Sequence, residues 1–178
     1  MLQERFGGHV YVINYGVGGT QSHQLLNGTE GRKKPWGLQM KGSAADIVLI
    51  NYALNDHFYN AKPAPGLFQA TPETYAQIIR DLVQIARGEG KYVILQEPNP
   101  TVYQPGVGNL YRFVTALREV SKELDVPLVA QYDALQEVAG WKGMLSDSVH
   151  PGELMYELKA ARTFERLVLL VEAVLADE

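Results

Sequence analysis

Four short runs of almost unbroken apolar residues recur along the chain, separated by segments long enough for helices. They are Val10-Tyr11-Val12-Ile13 between His9 and Asn14, Ile47-Val48-Leu49-Ile50 between Asp46 and Asn51, Tyr92-Val93-Ile94-Leu95 between Lys91 and Gln96, and residues 127–131 around Leu128-Val129. A strand with one face in water alternates apolar and polar residues. Runs without a polar face belong to a parallel sheet that is covered on both sides. The intervening segments carry helical spacing. Thr71 and Pro72 open one helix as N-cap and first residue, Tyr75, Ile78, Leu82 and Ile85 form its stripe, and Gly88 and Gly90 close it. A second runs from about Val107 to Leu124 on Leu110, Val114, Leu117 and Val120, and a third follows Pro151 to the C-terminus. Strands alternating with helices predict a three-layer α/β domain over residues 1–178, with no repeat, low-complexity tract or linker.

The composition agrees. With 178 residues, 46% hydrophobic and 20% charged, the chain suits one domain with a full core and is too apolar to be disordered. A net charge of −4 argues against a nucleic-acid partner, which calls for a basic face. No apolar run approaches the roughly 20 residues that span a bilayer. The absence of cysteine excludes disulfides, thiolate catalysis and cysteine-ligated metals. Residues 1–5 lack the apolar core of a secretory leader.

In parallel α/β sheets, ligands bind beyond the carboxyl ends of the strands. After the first run comes Gly16-Val17-Gly18-Gly19-Thr20, and after the second Tyr52-Ala53-Leu54-Asn55-Asp56-His57. After the third comes Glu97-Pro98-Asn99-Pro100, which reads as a loop shaped by its prolines. Near the C-terminus stands Asp147-Ser148-Val149-His150-Pro151. Histidine as a residue type exchanges protons near neutrality, and a carboxylate on its second ring nitrogen fixes the tautomer, so Asp147 and His150 form a candidate acid–base pair. The plainer reading is a surface loop whose Asp147 caps the final helix. Asn55 offers a side-chain amide and Gly19 a backbone N–H to an oxyanion; each alone also reads as a turn former. The glycine turn is one residue short of a dinucleotide fingerprint, with Gln21 at the last glycine position. A metal set of His150, Asp147, His57 and Asp56 lacks tight ligand spacing, and neither metal nor cofactor is expected. Arg32-Lys33-Lys34 reads as a solvated loop, and His9 and His23 as structural or exposed. Trp36, Tyr59 and Tyr103 are packing residues or the lining of an acyl pocket.

Taken in order, the glycine turn, the Asn after the next strand and the late D-x-x-H resemble the SGNH (GDSL-type) hydrolases. These are esterases and lipases on a flavodoxin-like three-layer α/β fold. The resemblance extends from Gly8 to the final helix. It implies that Gly19 and Asn55 match the oxyanion-hole residues, that Asp147 and His150 match the acid–base pair, and that the substrate is a small ester. Ala53 stands where the family's G-x-N-D block has glycine, a modest change if the backbone there lies in an allowed region. The G-D-S block that carries the nucleophilic serine has no counterpart; about 30 residues, one strand–loop–helix unit, is missing by that comparison.

The chain has five serines, at 22, 43, 121, 146 and 148. Ser22, one turn beyond the glycines, is the least implausible substitute, and none meets the geometric demands on a nucleophile by pattern. The family's first strand lies between the runs at 9–14 and 46–51, so these are expected to pair directly or to leave free edges that invite a homo-oligomer. Any targeting signal is expected in the same upstream unit. The expected function is an SGNH-type carboxylic-ester hydrolase with weak or no turnover; the alternative is a non-catalytic ligand-binding domain that kept the cleft.

Overall fold

The computed structural model describes residues 1–31, 34–103 and 107–176, with side chains throughout except at 107–109. Arg32 and Lys33 of the expected solvated loop lie outside the described residues. Three of the four apolar runs are strands: β1 (Ile47–Ile50), β2 (Tyr92–Gln96) and β3 (Leu128–Val129). They form a parallel sheet in that order, with Val48 beside Val93, Leu49 beside Ile94 and Gln96 beside Val129. The helices are α1 (Leu2–Phe6), α2 (Ser22–Asn27), α3 (Trp36–Lys41), α4 (Leu54–Ala61), α5 (Pro72–Gly88), α6 (Val107–Glu123), α7 (Tyr132–Gln136) and α8 (Glu153–Ala176).

Helix α5 starts where its cap predicts. Thr71 Oγ1 accepts from Thr74 N and Thr74 Oγ1 accepts from Thr71 N, so two backbone donors that a helix start leaves open are satisfied. Tyr75, Ile78, Ile79 and Leu82 of α5 and Leu110, Val114, Leu117 and Val120 of α6 are buried together with Val93, Leu95 and Ile50 in one core. Each aliphatic side chain fully removed from water there contributes about 1.5–3 kcal/mol. Trp36 belongs to this core as well, donating its indole N–H to Leu82 O at 2.9 Å. Strand side chains alternate, so Ile94 and Gln96 face the other way, where Gln96 Nε2 meets Thr163 Oγ1 of α8 at 2.7 Å.

That third layer stops short of β1. Leu49 shares a sheet face with its neighbour Ile94, yet Ile94 is fully buried and Leu49 is 36% exposed. The other side of β1 has no strand partner among the described residues.

The run at 9–14 is not the strand its composition predicts. Residues 7–9 form a 3-10 turn and residues 10–17 have no regular structure. Tyr11, Val12 and Ile13 are 80%, 62% and 67% exposed. What the segment lacks is a neighbour. Before it, Arg5 is paired with Glu172 near the end of α8 at 2.6 Å; after it, Thr20 is tied to α4. Among the described residues no hydrogen bond joins residues 9–14 to β1. Without a ladder the backbone groups turn to water and no sheet forms. No helix among the described residues is long and apolar enough to cross a membrane.

Candidate active site

Parallel strands deliver their following loops to one edge of the sheet, and the expected residues lie there. At the end of β1 the Asn51 amide donates to Gln96 O at 2.9 Å and Glu97 O at 3.0 Å, locking the ends of β1 and β2 together. The chain then enters α4 through Ala53, whose φ is 126° and ψ −34°. The condition under which alanine here is a modest change is not met: the position demands a conformation natural to glycine. Its cause is the abrupt start of α4, where His57 N already donates to Ala53 O at 2.9 Å, in a fully buried position. Such a conformation costs about 1–3 kcal/mol. Ala53→Gly is therefore expected to hold stability level or raise it by about 1 kcal/mol, whereas alanine to glycine inside an ordinary helix costs about that much. Urea midpoints measure it, and a loss beyond about 1 kcal/mol would show that the alanine is unstrained.

Asn55 follows two residues later. Its Nδ2 donates to Thr20 O at 3.0 Å, which leaves the second amide hydrogen for another acceptor. Gly19 precedes Thr20 with φ 75° and open space around its Cα. The structure thus brings Gly19 and Asn55 to one corner. Ser22 is drawn inward instead: it is fully buried, with its Oγ donating to Asp56 Oδ1 at 2.6 Å and its N–H to the same oxygen at 3.1 Å. Gln21 exchanges bonds with Phe68, through Nε2 to Phe68 O at 2.6 Å and Oε1 from Phe68 N at 3.2 Å, and so fixes the loop before α5. Among the described residues, two buried side-chain polar atoms have no hydrogen-bond partner, Asp56 Oδ2 and His57 Nε2. Burial pushes the Asp56 carboxyl up to about 6 against the pull of the Ser22 bonds, and burial also holds His57 below its ordinary value.

Asp147 and His150 meet on an exposed turn, with His150 Nδ1 2.7 Å from Asp147 Oδ2. Asp147 Oδ1 accepts from Val149 N and His150 N, both at 2.7 Å. Asp147 thus caps its own turn and not the final helix. These bonds, the His150 amide first, pull its carboxyl down to about 2. The turn is closed by Ser146 N donating to His150 O at 2.8 Å. From beneath, Thr101 Oγ1 donates to Ser148 O at 2.6 Å, Val102 N and Tyr103 N reach the same oxygen, and Asn99 Nδ2 donates to Val149 O at 3.0 Å. Lys159 Nζ steadies Asn99 Oδ1 at 3.2 Å.

The loop after β2 is therefore more than the proline-shaped connection expected of it. Its buried Asn99 and Thr101 carry the Asp147–His150 turn, and its Glu97 is a buried carboxylate. Arg118 Nε donates to Glu97 Oε1 at 2.5 Å, while Gln131 N and Tyr132 N donate to Oε2 at 2.8 and 2.7 Å. One sequence signal marked it: an acidic residue directly after an unbroken apolar strand, where solvent is not assured.

The residues once grouped as a metal set are divided, with Asp56 and His57 buried on α4 and Asp147 and His150 exposed on their turn. No group of three or more possible ligands occurs among the described residues. No hydrogen bond among them joins Asp147 or His150 to Gly19 or Asn55. The two corners are bridged by aromatic rings: Phe58 of α4 lies 5.5 Å from Tyr103, whose N–H holds Ser148, and 5.0 Å from Tyr59. Among the described residues no serine hydroxyl is bonded to the His150 ring. Ser121 Oγ is held by Val126 O, Ser146 Oγ by the His150 carbonyl, and Ser43 Oγ accepts from Ala45 N.

The model of the GDSL-like Lipase/Acylhydrolase family matches residues 1–158. No curated protein sequence matches the chain. Among solved structures, an alpha/beta hydrolase enzyme from the metagenome of Lake Arreo aligns at a TM-score of 0.75 and 20% identity, over 93% of this chain and 76% of that one. An acetylxylan esterase from Geobacillus stearothermophilus gives 0.66 at 18% identity, over 87% and 71%. A lipase/acylhydrolase from Enterococcus faecalis gives 0.60 at 21% identity, over 83% and 70%. At these identities the likeness is one of fold.

Proposed function

Because the chain belongs to the GDSL-like lipase/acylhydrolase family, we propose that these residues supply the acid–base pair and oxyanion donors of an SGNH-type carboxylic-ester hydrolase, and that none of their five serines is its nucleophile. The observation that carries this reading is the 2.7 Å contact of His150 Nδ1 with an Asp147 carboxylate already anchored by two backbone amides. That arrangement orients the ring, places a proton on Nδ1 and leaves Nε2 to act as base. Gly19 N–H and the free hydrogen of the Asn55 amide supply donors for an oxyanion. The acyl or alcohol portion of a small ester meets the Phe58–Tyr103 rings between the corners. Ser22, the best-placed serine by sequence, is bonded to Asp56 in the interior and is not set for attack on the ester carbonyl.

Hydrolysis of p-nitrophenyl acetate by the chain and by His150→Ala tests the reading. Members of a triad act as a unit, so with no nucleophile the two rates are expected to agree within about tenfold. A His150-dependent loss of about 100-fold or more would establish a working nucleophile and overturn it. A second reading, a ligand-binding domain without turnover, draws on the same buried Ser22. Saturable acetate binding that Asn55→Ala weakens would favour it.

A further inference from the structure

An ammonium group stands behind the Asp147–His150 turn without a carboxylate of its own. Lys159 of α8 is half-buried, and among the described residues it takes part in no ion pair. Burial pushes its amine down to about 8. The Tyr156 ring lies 5.8 Å from Nζ, and among the described residues Nζ makes one hydrogen bond, to Asn99 Oδ1 at 3.2 Å. For stability alone an apolar side chain serves such a place better.

We propose that Lys159 is a positioning residue for His150 and acts through the side chain of Asn99. The proposal rests on the reading of Asp147 and His150 as an acid–base pair. Asn99 is buried, and both hydrogens of its Nδ2 are in use, on Pro100 O and Val149 O, each at 3.0 Å. Turned over, the amide would set its oxygen against those two carbonyl oxygens. An ammonium can only donate, so Lys159 selects the orientation that keeps Oδ1 toward itself. What Asn99 then holds is one peptide group. The carbonyl of Val149 and the N–H of His150 belong to the same planar unit and point opposite ways. Asn99 takes the carbonyl end, and Asp147 Oδ1 takes the N–H end at 2.7 Å. With the carbonyl released, the plane is free to rotate and the His150 amide leaves Asp147. The preceding peptide is held separately, by Thr101 on Ser148 O and by Asp147 on Val149 N, and does not depend on Lys159.

Lys159→Met keeps the apolar stem and removes the donor. Its His150 amide is expected to exchange with water at least about tenfold faster by NMR, and the Val149 amide to change by less than about threefold. The Asp147 carboxyl, which the His150 amide holds low, is expected to titrate higher than in the parent, while the melting temperature holds or rises. Lys159→Arg, again a donor only, is expected to restore the parent's behaviour. In Asn99→Ala the Val149 carbonyl is already released, so adding Lys159→Met is expected to change His150 exchange by less than about twofold. A His150 amide that exchanges at the parent's rate in Lys159→Met would overturn the proposal. So would an equal effect of Lys159→Met with and without the Asn99 amide, the mark of plain charge. Faster exchange throughout α6 with a lower melting temperature, the mark of a structural residue, would overturn it as well. Hydrolysis enters none of these measurements, so failure of the acid–base reading in the ester assay is told apart from failure of this one.

Discussion

Glu97→Ala is expected to lower the unfolding free energy by about 3–5 kcal/mol, the cost of breaking a buried ion pair by removing one partner. Three donors converge on this fully buried carboxylate: the Arg118 guanidinium and the amides of Gln131 and Tyr132. The amides open α7, whose first N–H groups have no helical partner and find one in Glu97 Oε2. Arg118 keeps Asp133 at 2.8 Å as a second, exposed partner, which only partly replaces the first. Glu97→Gln is expected to recover little. Both carboxylate oxygens accept, so whichever one becomes NH₂ faces a donor. In a domain of this size the alanine variant should melt about 10 °C or more below the parent. Urea denaturation with an unchanged slope measures the loss, and a cost below about 1 kcal/mol would mean that water replaces Glu97 at no great penalty.

The second large effect is a dependence on pH. Asp56 is raised in the folded protein to about 6 from an ordinary 3.8, chiefly by burial. Between those values the folded state binds the proton that the unfolded state releases. Its contribution to stability therefore falls as pH rises through this window, by about 3 kcal/mol in all. His57, lowered by burial, acts with the opposite sign, losing stability as pH falls below its unfolded value. The parent's own pH profile mixes the two, so the informative quantity is the difference from Asp56→Asn. The amide keeps an oxygen for Ser22 N and Oγ and cannot ionise. Relative to the parent, the variant is expected to gain about 3 kcal/mol between pH 4 and pH 7. Parallel curves for the two proteins across that range would show that the carboxyl is ionised in the fold at little cost. Thermal melts at closely spaced pH values decide it.

These two residues mark where the sequence is easy to read and where it is not. The strands at 47–50, 92–96 and 128–129 announce themselves by unbroken apolar runs, because the sheet between two helical layers has no polar face. The stripe of α6 is legible for the same reason, its Leu110, Val114, Leu117 and Val120 all being buried. The run at 10–13 has equal strand character and fails, since a strand is made by its neighbour as much as by its residues. The contact between Asp147 and His150 is legible in the sequence because three residues fix their separation. Glu97, Asn99 and Thr101 are not, because their partners at 118, 131, 148 and 149 are remote and only the fold reveals them. The strain at Ala53 is hidden too, as a small residue in an αβ connection looks unremarkable until its φ is known.

The hydrogen bonds of the cleft fall into two sets with separate supports. Gly19, Thr20 and Asn55 are braced by α2 and α4, whereas the Asp147–His150 turn is braced by the chain leaving β2 and by α8. Among the described residues no hydrogen bond joins the two sets themselves; their supports meet through the Asn51 amide on Gln96 O and Glu97 O and through ring contacts such as Phe58 to Tyr103. Each half can accordingly hold its shape while the other changes or decays. The Asp147–His150 contact is thus held by the hydrogen bonds of its own turn. An intact pair, taken alone, is a record of architecture and not a measure of turnover.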